Sequence, residues 1–383
     1  EFSGTYTEFV KQYLSVNVTE EAGLSAQTIN STLTSAVSVK VTCEYSGSFG
    51  YGLDAISKGS GVIFSLDKQK GDAYILTNCH VVYDSFPDTK TDESGVISYT
   101  RKDKPLTSIV YLYGMEYSNY AIPFTVVGYS IENDLAVLKV TGSDVLKNSL
   151  AQAVTLGNSD DLSIGDNVFA IGNPLGNGLA AVTGIVSKES EYIDIRGGDN
   201  KTVIHPRAIH ISVPINDGNS GGGLFNAKGE LVGIIFAKNV EEYVEDISYA
   251  LPGTNVEGLA KSIIENCDGT TVITKKARLG VVTAAESSRQ VFDAEANRVK
   301  VEQVFKVRST EFGSPAYGKL QKGDIIKEVS LGEESVTFTR EWQIADFLWK
   351  VREGDRLTLT IVRDGVTRQV SITFGRGDFE EVA

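Results

Sequence analysis

The stretch NDGNSGGGLF, at residues 216–225, places a single serine between an asparagine and three glycines. Glycine lets the backbone approach a ligand or another segment closely, but it costs conformational entropy on folding. Such a run is seldom found within a domain without a steric or functional reason. We interpret it as a turn that presents the Ser220 hydroxyl and directs backbone N–H groups towards one point, as an active site built on a serine nucleophile requires.

Length and composition indicate a globular protein of two or three domains. The chain has 383 residues, of which 41% are hydrophobic, and its 36 Lys and Arg against 50 Asp and Glu give a formal net charge of −14. The basic residues form no cluster that would bind phosphates, so nucleic acid is not an expected partner. Every apolar run is shorter than the roughly 18 residues of a membrane span. The chain starts at Glu1 and is expected to lack its signal peptide or membrane anchor.

The cysteines and histidines are too few and too scattered for a metal centre. Cys43, Cys79 and Cys267 do not form the pattern of a disulfide framework or a structural zinc site. A Cys43–Cys79 bridge stays open, because spacing alone does not show whether the geometry permits it. The three histidines form no ligand cluster, so neither a metal nor another cofactor is expected.

Short apolar segments separated by Gly, Asn and Asp fill most of the chain up to about residue 250. Two short helices are predicted before them, near residues 6–14, with an apolar stripe of Tyr6, Phe9, Val10 and Tyr13, and near residues 24–33. The predicted strands are GVIF, AYILTN, SIVYLY, FTVVGYS, LAVLKV, NVFAIG, AAVTGIVS, AIHISV, LVGIIFA and ISYAL. Many short strands at this spacing predict antiparallel barrels or a sandwich rather than alternating β-α units. The polar residues 84–108 are predicted to form an insertion or extended loop.

A helix that starts near Thr254 is predicted to close this β-rich region. Thr254 and Glu257 have the spacing of a capping box. The C-terminal part then forms a small α+β unit, with one helix in REWQIADFLWKV (340–351) and a final hairpin that turns at Asp364-Gly365.

His80, Asp134 and Ser220 are the residues best suited to nucleophilic catalysis. A serine needs a base, the base needs an orienting carboxylate, and the developing oxyanion needs backbone N–H donors. His80 ends an apolar strand, and Asp134 directly precedes the strand LAVLKV. His210 is interpreted as structural and His205 as a surface residue. The order His, Asp, Ser is that of the chymotrypsin-type double barrel.

Several blocks within residues 35–265 resemble the HtrA/Deg family of trypsin-like serine proteases. These blocks are GSGVIF (59–64), YILTNCHVV (74–82), NDLAVLKV (133–140), LGNSDDLSIGDNVFAIGNPLG (156–176), VTGIVS (182–187) and NDGNSGGGLFNAKGELVGI (216–234). The resemblance implies His80 as general base, Asp134 as its orienter and Ser220 as nucleophile. It also implies an oxyanion hole formed by the backbone of Gly218, Asn219 and Ser220, in an ATP-independent endopeptidase that cleaves unfolded or exposed polypeptides in protein quality control.

The segments RLGV (278–281) and SPAYGKLQKGDIIKEV (314–329) resemble the peptide-binding loop and the Gly-Asp turn of a PDZ domain. Such a domain binds C-terminal peptides by adding a strand to its sheet. The residues expected to line its groove are Leu279, Gly280, Val281, Ile344, Phe347 and Leu348. For Phe347 and Leu348, packing in the core is an equal alternative.

The expected fold class is therefore mainly β, with a chymotrypsin-like double β-barrel followed by a small α+β PDZ domain. The expected boundaries are an N-terminal helical segment at 1–34, a protease domain at 35–265, a linker at 266–274 and a PDZ domain at 275–378.

The chain departs from the family pattern at two places, and at a third it differs from the digestive trypsins. Cys79 stands where the family usually has Asn or Ala, and as a small hydrophobe it should be tolerated there. Pro214 lies in the segment SVPIN, where the family commonly has Asp-Ala-Ala-Ile-Asn. In the family this loop helps to switch the oxyanion hole on and off, and the fixed φ of Pro214 is compatible with either state. Asn219 replaces the Asp of digestive trypsins, so activation by a newly cut N-terminal amine is not expected. Regulation is expected through loop ordering and the PDZ domain.

By analogy, Pro214, Ile215, Ala237 and Lys238 are expected to line the specificity pocket. Ile215 and Ala237 favour small or medium apolar side chains, whereas Lys238 either points inward or faces solvent. The resemblance further implies a homotrimer in the bacterial cell envelope or outside the cell. Two alternatives stay open, a latent protease-fold peptide sensor or chaperone and a processing protease of narrow specificity.

Overall fold

The computed structural model describes residues 25–47, 52–83, 99–101, 107–114, 120–176, 178–199, 202–238, 248–269, 274–293 and 298–382. The helix expected at residues 6–14 and most of the polar segment 84–108 lie outside this part of the chain. The described residues form two compact units. One contains those up to Val256 together with 267–269, and the other contains Glu257–Asn266 and 274–382.

The first half of the first unit is an antiparallel sheet. Its strands are β1 (Ala36–Gly47), β2 (Gly52–Asp67), β3 (Asp72–Thr77), β4 (Tyr99–Arg101), β5 (Thr107–Leu112), β6 (Ala121–Pro123), β7 (Thr125–Ser130) and β8 (Leu135–Val140). They are ordered β6-β5-β1-β2-β3-β8-β7, with β4 paired to β1. Alternate residues of β1, namely Val37, Val39 and Val41, enter the core because successive side chains of a strand point to opposite faces.

The second half of this unit is a closed barrel. Its strands are β9 (Asn167–Gly172), β10 (Ala180–Tyr192), β13 (Arg207–Ile211), β14 (Gly223–Asn226), β15 (Leu231–Lys238) and β16 (Ser248–Pro252). They close in the order β10-β13-β16-β15-β14-β9, and β11 (Ile195–Arg196) pairs with β12 (Val203–Ile204) as a separate hairpin. Branched side chains such as Val168, Ile211 and Ile235 fill the interior. Of the two all-β alternatives left by the sequence, this half is a barrel.

Short helices connect and flank the sheets. They are α1 (Ala26–Thr32), α2 (Cys79–Val82), α3 (Asp144–Asn148), α4 (Gly253–Asn266) and α5 (Trp342–Phe347), and 3-10 turns lie at Leu33–Ser35, Ser159–Asp161, Pro174–Gly176, Leu348–Lys350 and Arg376–Asp378. Helices α1, α4 and α5 lie where the sequence predicts them. None of the helices in the described residues has the length and apolar character that crossing a membrane would require.

The capping box predicted at the start of α4 is wrong. The helix begins at Gly253, so Thr254 lies inside it, and its hydroxyl forms a 2.9 Å hydrogen bond with Ser159. The Glu257 carboxylate instead binds Lys261 at 2.8 Å and Lys350 at 3.2 Å. These partners come from outside the capping motif, which is why the local spacing was misleading.

The second unit is built on a six-stranded antiparallel sheet. The strands of this unit are β17 (Thr274–Ala277), β18 (Val281–Asp293), β19 (Arg298–Thr310), β20 (Ile325–Leu331), β21 (Glu334–Thr337), β22 (Arg356–Arg363), β23 (Val366–Thr373) and β24 (Phe379–Val382). The sheet runs β18-β19-β20-β22-β23 with β21 on β20, while β17 pairs with β24. The β22–β23 hairpin turns at Asp364 (φ 51°) and Gly365 (φ 78°), as predicted. The expected fold class, a double barrel followed by a small α+β domain of PDZ type, is confirmed.

Candidate active site

Asp134 and His80 form a hydrogen-bonded pair where two neighbouring strands end and begin. Strand β3 pairs antiparallel with β8, with Thr77 opposite Ala136, so the residues after β3 meet those before β8. Nδ1 of His80 lies 2.7 Å from Oδ2 of Asp134. The other carboxylate oxygen, Oδ1, accepts the backbone N–H of His80 at 2.9 Å. Asn78 fixes the same corner, because its side-chain amide donates to the Asp134 carbonyl at 2.8 Å.

The Asp134 carboxylate is buried, whereas the His80 ring reaches solvent. Their side chains are 4% and 30% exposed, respectively. Burial of the ring lowers the pKa of His80, but the charge of Asp134 and its hydrogen bond outweigh burial and raise the pKa above the ordinary value of 6.5. Asp134 itself has a left-handed backbone, with φ 46°. Aspartate tolerates this conformation better than most residues do.

The turn that carries Ser220 is anchored to the first sheet. The Ser220 carbonyl accepts the N–H of Ser60 at 2.8 Å, and the Ser60 hydroxyl donates to the Gly218 carbonyl at 2.6 Å. A Cβ added at Gly59 would lie 2.7 Å from the Val81 side chain and 3.0 Å from the Ser220 carbonyl oxygen. Val81 directly follows His80, so Gly59 lies between the backbone of the predicted nucleophile and the residue next to the predicted base.

The structure explains why one residue of the glycine run, Gly221, is a glycine. Its φ is 83°, and a Cβ there would lie 2.2 Å from the Ser60 carbonyl oxygen and 2.3 Å from Oγ1 of Thr77. Gly218 also has a left-handed φ, 96°. Both the backbone conformation and the packing therefore require glycine at position 221.

Two backbone N–H groups of this turn are available to a ligand. The Asn219 N–H is occupied, because it donates to the Asn216 carbonyl at 3.0 Å. Within the described part of the chain, the N–H groups of Gly218 and Ser220 have no acceptor. A pair of unoccupied donors beside a serine is the chemical requirement of an oxyanion hole.

Asn219 itself is buried next to Gly172. The residue is 2% exposed, and neither polar atom of its side chain has a hydrogen-bond partner among the described residues. Its Oδ1 would lie 2.7 Å from a Cβ added at Gly172. A charged carboxylate in this place would be costly, since burial of an unpaired charge is far less favourable than burial of an amide.

The residues expected in the specificity pocket are only partly described. Pro214 is exposed, and Ile215 is half-buried against the barrel core. Ala237 and Lys238 end β15 and pair with Tyr249 and Ser248, but their side chains lie outside the described structure.

Each of the other two histidines lies near a carboxylate other than that of Asp134. His205 is 66% exposed and lies 2.5 Å from Asp194, in agreement with its expected surface position. His210 lies in β13, 3.9 Å from Glu191. Asp134 thus binds His80 and neither of these.

The cysteine next to His80 is a buried free thiol. Cys79 is fully buried and its thiol is free, which shows that the Cys43–Cys79 bridge left open by the sequence is not formed. Burial, reinforced by the negative charges of Asp134 and Asp199, raises the pKa of the Cys79 thiol well above 9.0. Within the described residues, no group of His, Cys, Asp and Glu side chains is arranged to hold a metal ion.

The residues expected in the PDZ groove are mostly in the core of the second unit. The buried residues Leu279, Ile344, Phe347 and Leu348 belong to one hydrophobic cluster. For Phe347 and Leu348, this is the core packing that the sequence left open as an alternative to a place in the groove. Gly280 has φ 69°, and its carbonyl accepts the N–H of Glu311 at 2.9 Å. Strand β18, which starts at the half-buried Val281, is an edge strand of its sheet. The groove assignment stays a prediction.

One contact of the site was not expected from the sequence. The dipeptide Gly197-Gly198, between β11 and β12, lies against Cys79 and the Asp134 turn. A Gly-Gly pair in the segment DIRGGDN was the only local signal, and glycine pairs are equally typical of ordinary turns.

The chain is similar to known serine proteases. A family model described as a trypsin-like peptidase domain matches residues 59–234. A serine protease Do-like HtrA of Lactococcus lactis subsp. cremoris (strain MG1363) is 31% identical over 347 residues, which are 88% of this chain and 75% of the relative. The protein of the same name from Lactococcus lactis subsp. lactis (strain IL1403) is 30% identical over 341 residues, 86% of this chain and 74% of the relative.

A solved structure of similar fold is the HtrA-type protease AlgW with tripeptide. Its TM-score is 0.52 at 23% identity, over 92% of this chain and 96% of that one. Fold and site together define a trypsin-like serine peptidase. The chain belongs to the HtrA family of serine proteases, and it is a serine endopeptidase.

Proposed function

We propose that Ser220 is the nucleophile of this endopeptidase, His80 its general base and Asp134 the orienter of His80. The observation that carries the proposal is the double hydrogen bond of Asp134, to Nδ1 and to the backbone N–H of His80. Because the Nδ1–H group of His80 donates a hydrogen bond to the carboxylate, Nε2 is the basic atom of the neutral ring.

In the proposed reaction, Oγ of Ser220 attacks the carbonyl carbon of the scissile bond while its proton passes to Nε2 of His80. The negative charge that develops on the carbonyl oxygen is stabilised by the N–H groups of Gly218 and Ser220. His80 then gives its proton to the leaving amine, and the acyl-enzyme forms. Water, deprotonated by His80, hydrolyses the acyl-enzyme and returns Ser220 to its starting state.

We propose unfolded or exposed polypeptide segments as substrates, in protein quality control in the bacterial cell envelope or outside the cell. The support is the likeness to HtrA proteases, together with a His80 ring that is partly exposed to solvent, where an extended chain can reach it. Pro214, Ile215, Ala237 and Lys238 are proposed to line a pocket for small or medium apolar side chains. A homotrimer is proposed on the same likeness.

The C-terminal unit is proposed to regulate cleavage as a PDZ domain that takes C-terminal peptides. Its support is the free edge of β18 beside the Leu279-Gly280 loop, where a peptide strand can be added. The proposed domain boundaries are those expected from the sequence.

The test is cleavage of casein by the purified chain and by Ser220→Ala, with and without a hydrophobic C-terminal peptide. Cleavage by the wild-type chain and none by the variant is the expected result. No cleavage by the wild-type chain under either condition, with casein still bound, would favour a latent sensor or chaperone. Cleavage of one folded protein but not of casein would favour a processing protease.

A further inference from the structure

The turn between β11 and β12 packs on the residue that precedes the proposed base. A Cβ added at Gly198 would lie 2.4 Å from Sγ and 2.5 Å from Cβ of Cys79, and 3.3 Å from Oδ1 of Asp134. Gly198 is not among the glycines with a left-handed φ. The close approach, and not the backbone conformation, is therefore what requires glycine at this position.

The same turn shares a hydrogen-bond acceptor with Asp134. The Ile131 carbonyl accepts the N–H of Gly198 at 3.3 Å and the N–H of Asp134 at 3.3 Å. Gly197 closes the hairpin by donating to the Thr202 carbonyl at 2.7 Å, and a Cβ at Gly197 would lie 2.9 Å from the Ile131 carbonyl oxygen. The hairpin and the turn that holds Asp134 are thus fixed to one another.

This packing helps to keep water away from the back of the catalytic pair. Cys79 is 0% exposed and Asp134 is 3% exposed. Charge-assisted hydrogen bonds are stronger where water is excluded, and the orientation of the His80 ring depends on such a bond.

We propose that the Gly197-Gly198 turn is a positioning element of the active site. Because its two glycines have no side chains, the turn packs closely against Cys79 and thereby holds the Asp134 carboxylate in place for His80. The proposal rests on the proposed roles of His80 and Asp134. It predicts that one added methyl group at position 198 displaces Cys79 and the Asp134 turn. It also predicts that removal of the Cys79 side chain makes room for that methyl group.

The experiment is a double-mutant cycle of Gly198→Ala and Cys79→Gly in the full chain, with casein cleavage as the activity. Gly198→Ala is expected to lower kcat/KM by roughly 10- to 100-fold, mainly in kcat, because a small misplacement of catalytic groups has an effect of this size. The double variant is expected to recover at least part of this loss. Gly377→Ala is the matched control, because a Cβ there meets nothing within 4 Å.

A second readout separates positioning from a general loss of folding. The pKa of His80 is measured by NMR of labelled histidine in the Ser220→Ala background, with His80→Gln to assign its signal among the three histidines. Displacement of Asp134 by Gly198→Ala is expected to lower this pKa, because the charge and hydrogen bond of Asp134 are what raise it. The charged groups at this corner are Asp134, which acts on both His80 and Cys79, and Asp199, which acts on Cys79, whereas the buried Cys79 thiol stays protonated.

Two results would overturn the inference. One is a Gly198→Ala variant with wild-type kcat/KM and an unchanged His80 pKa. The other is a loss of activity that Cys79→Gly does not relieve and that leaves the His80 pKa unchanged. A wild-type chain that cleaves nothing would instead contradict the proposed function, and the His80 titration would still test the packing.

Discussion

The carboxylate of Asp134 binds His80 at two points, 2.7 Å from its Nδ1 and 2.9 Å from its backbone N–H. The first contact sets the direction of the ring, and the second fixes the start of α2 relative to β8. One buried side chain thereby sets both the protonation pattern and the position of the proposed base.

Asp134→Asn should separate these two roles. Asparagine can still accept the backbone N–H of His80, but its amide no longer stabilises the imidazolium, and an amide N–H directed at Nδ1 favours the wrong tautomer. We expect kcat to fall by roughly 10⁴-fold, while the thermal unfolding midpoint changes little. The measurements are steady-state kinetics and a melting curve of both proteins. A variant within tenfold of wild-type kcat would argue against the assignment of Asp134.

The acid limb of the activity profile should reflect the raised pKa of His80. The protonated ring cannot accept the Ser220 proton, so activity rises as pH increases through this pKa. Because Asp134 raises it, we expect the limb of kcat/KM to have its midpoint above the ordinary value of 6.5. The check is a pH series with casein, with protein stability followed at each pH. A midpoint below that value would contradict the geometry.

Gly221→Ala should inactivate the enzyme by moving the Ser220 turn. Alanine at φ 83° is strained, and its Cβ would lie 2.2 Å from the Ser60 carbonyl oxygen. Gly142→Ala is the matched control, because its φ is also left-handed, at 65°, but nothing lies within 4 Å. The control should lose about 1 kcal/mol of unfolding free energy from backbone strain and keep its activity. Equal stability and activity of the two variants in denaturant titration and kinetics would show that packing at Gly221 is unimportant.

Asp324→Ala should destabilise the C-terminal unit in a pH-dependent way. Asp324 is 1% exposed and binds Arg363 through two hydrogen bonds of 2.7 Å each. Burial opposes its ionisation, but these bonds and the Gln321 N–H outweigh burial and lower its pKa below 3.8. Its stabilising effect is therefore fully present above the unfolded-state pKa and is lost as pH falls through the folded-state pKa.

At pH 7 we expect Asp324→Ala to cost about 2 kcal/mol, since it removes two charge-assisted hydrogen bonds from the partly exposed Arg363 guanidinium, which keeps its bond to the Lys319 carbonyl. The expected cost shrinks in acid, as measured by denaturant unfolding of the full chain at several pH values. Arg363→Lys keeps the positive charge but loses the two paired hydrogen bonds, so its free energy of unfolding should lie between those of the wild-type chain and Asp324→Ala. A cost for Asp324→Ala that does not vary with pH would point to lost packing instead.

Much of this protein could be read from local pattern. The alternation of apolar residues predicted the strands of the first sheet and of the closed barrel, and Asp364-Gly365 predicted the final hairpin, because these signals depend only on near neighbours in the chain. The glycines around Ser220 indicated the site for the same reason, as did Asp134 just before a strand; His80 was expected to end a strand, but it lies in the short helix α2 that follows β3. The capping box at Thr254 failed because its side chains found better partners, Ser159 and Lys350, that are distant in sequence.

The sequence by itself determined which residue types were available for chemistry and which segments would be strands, since side-chain period and turn preference are local properties of the chain. Only the tertiary structure decided that Cys79 stays a free thiol, that Phe347 and Leu348 lie in a core, and that Gly198 packs behind Asp134. Such contacts join segments separated by tens of residues, and they depend on the shape left between packed strands. No periodicity along the chain records that shape.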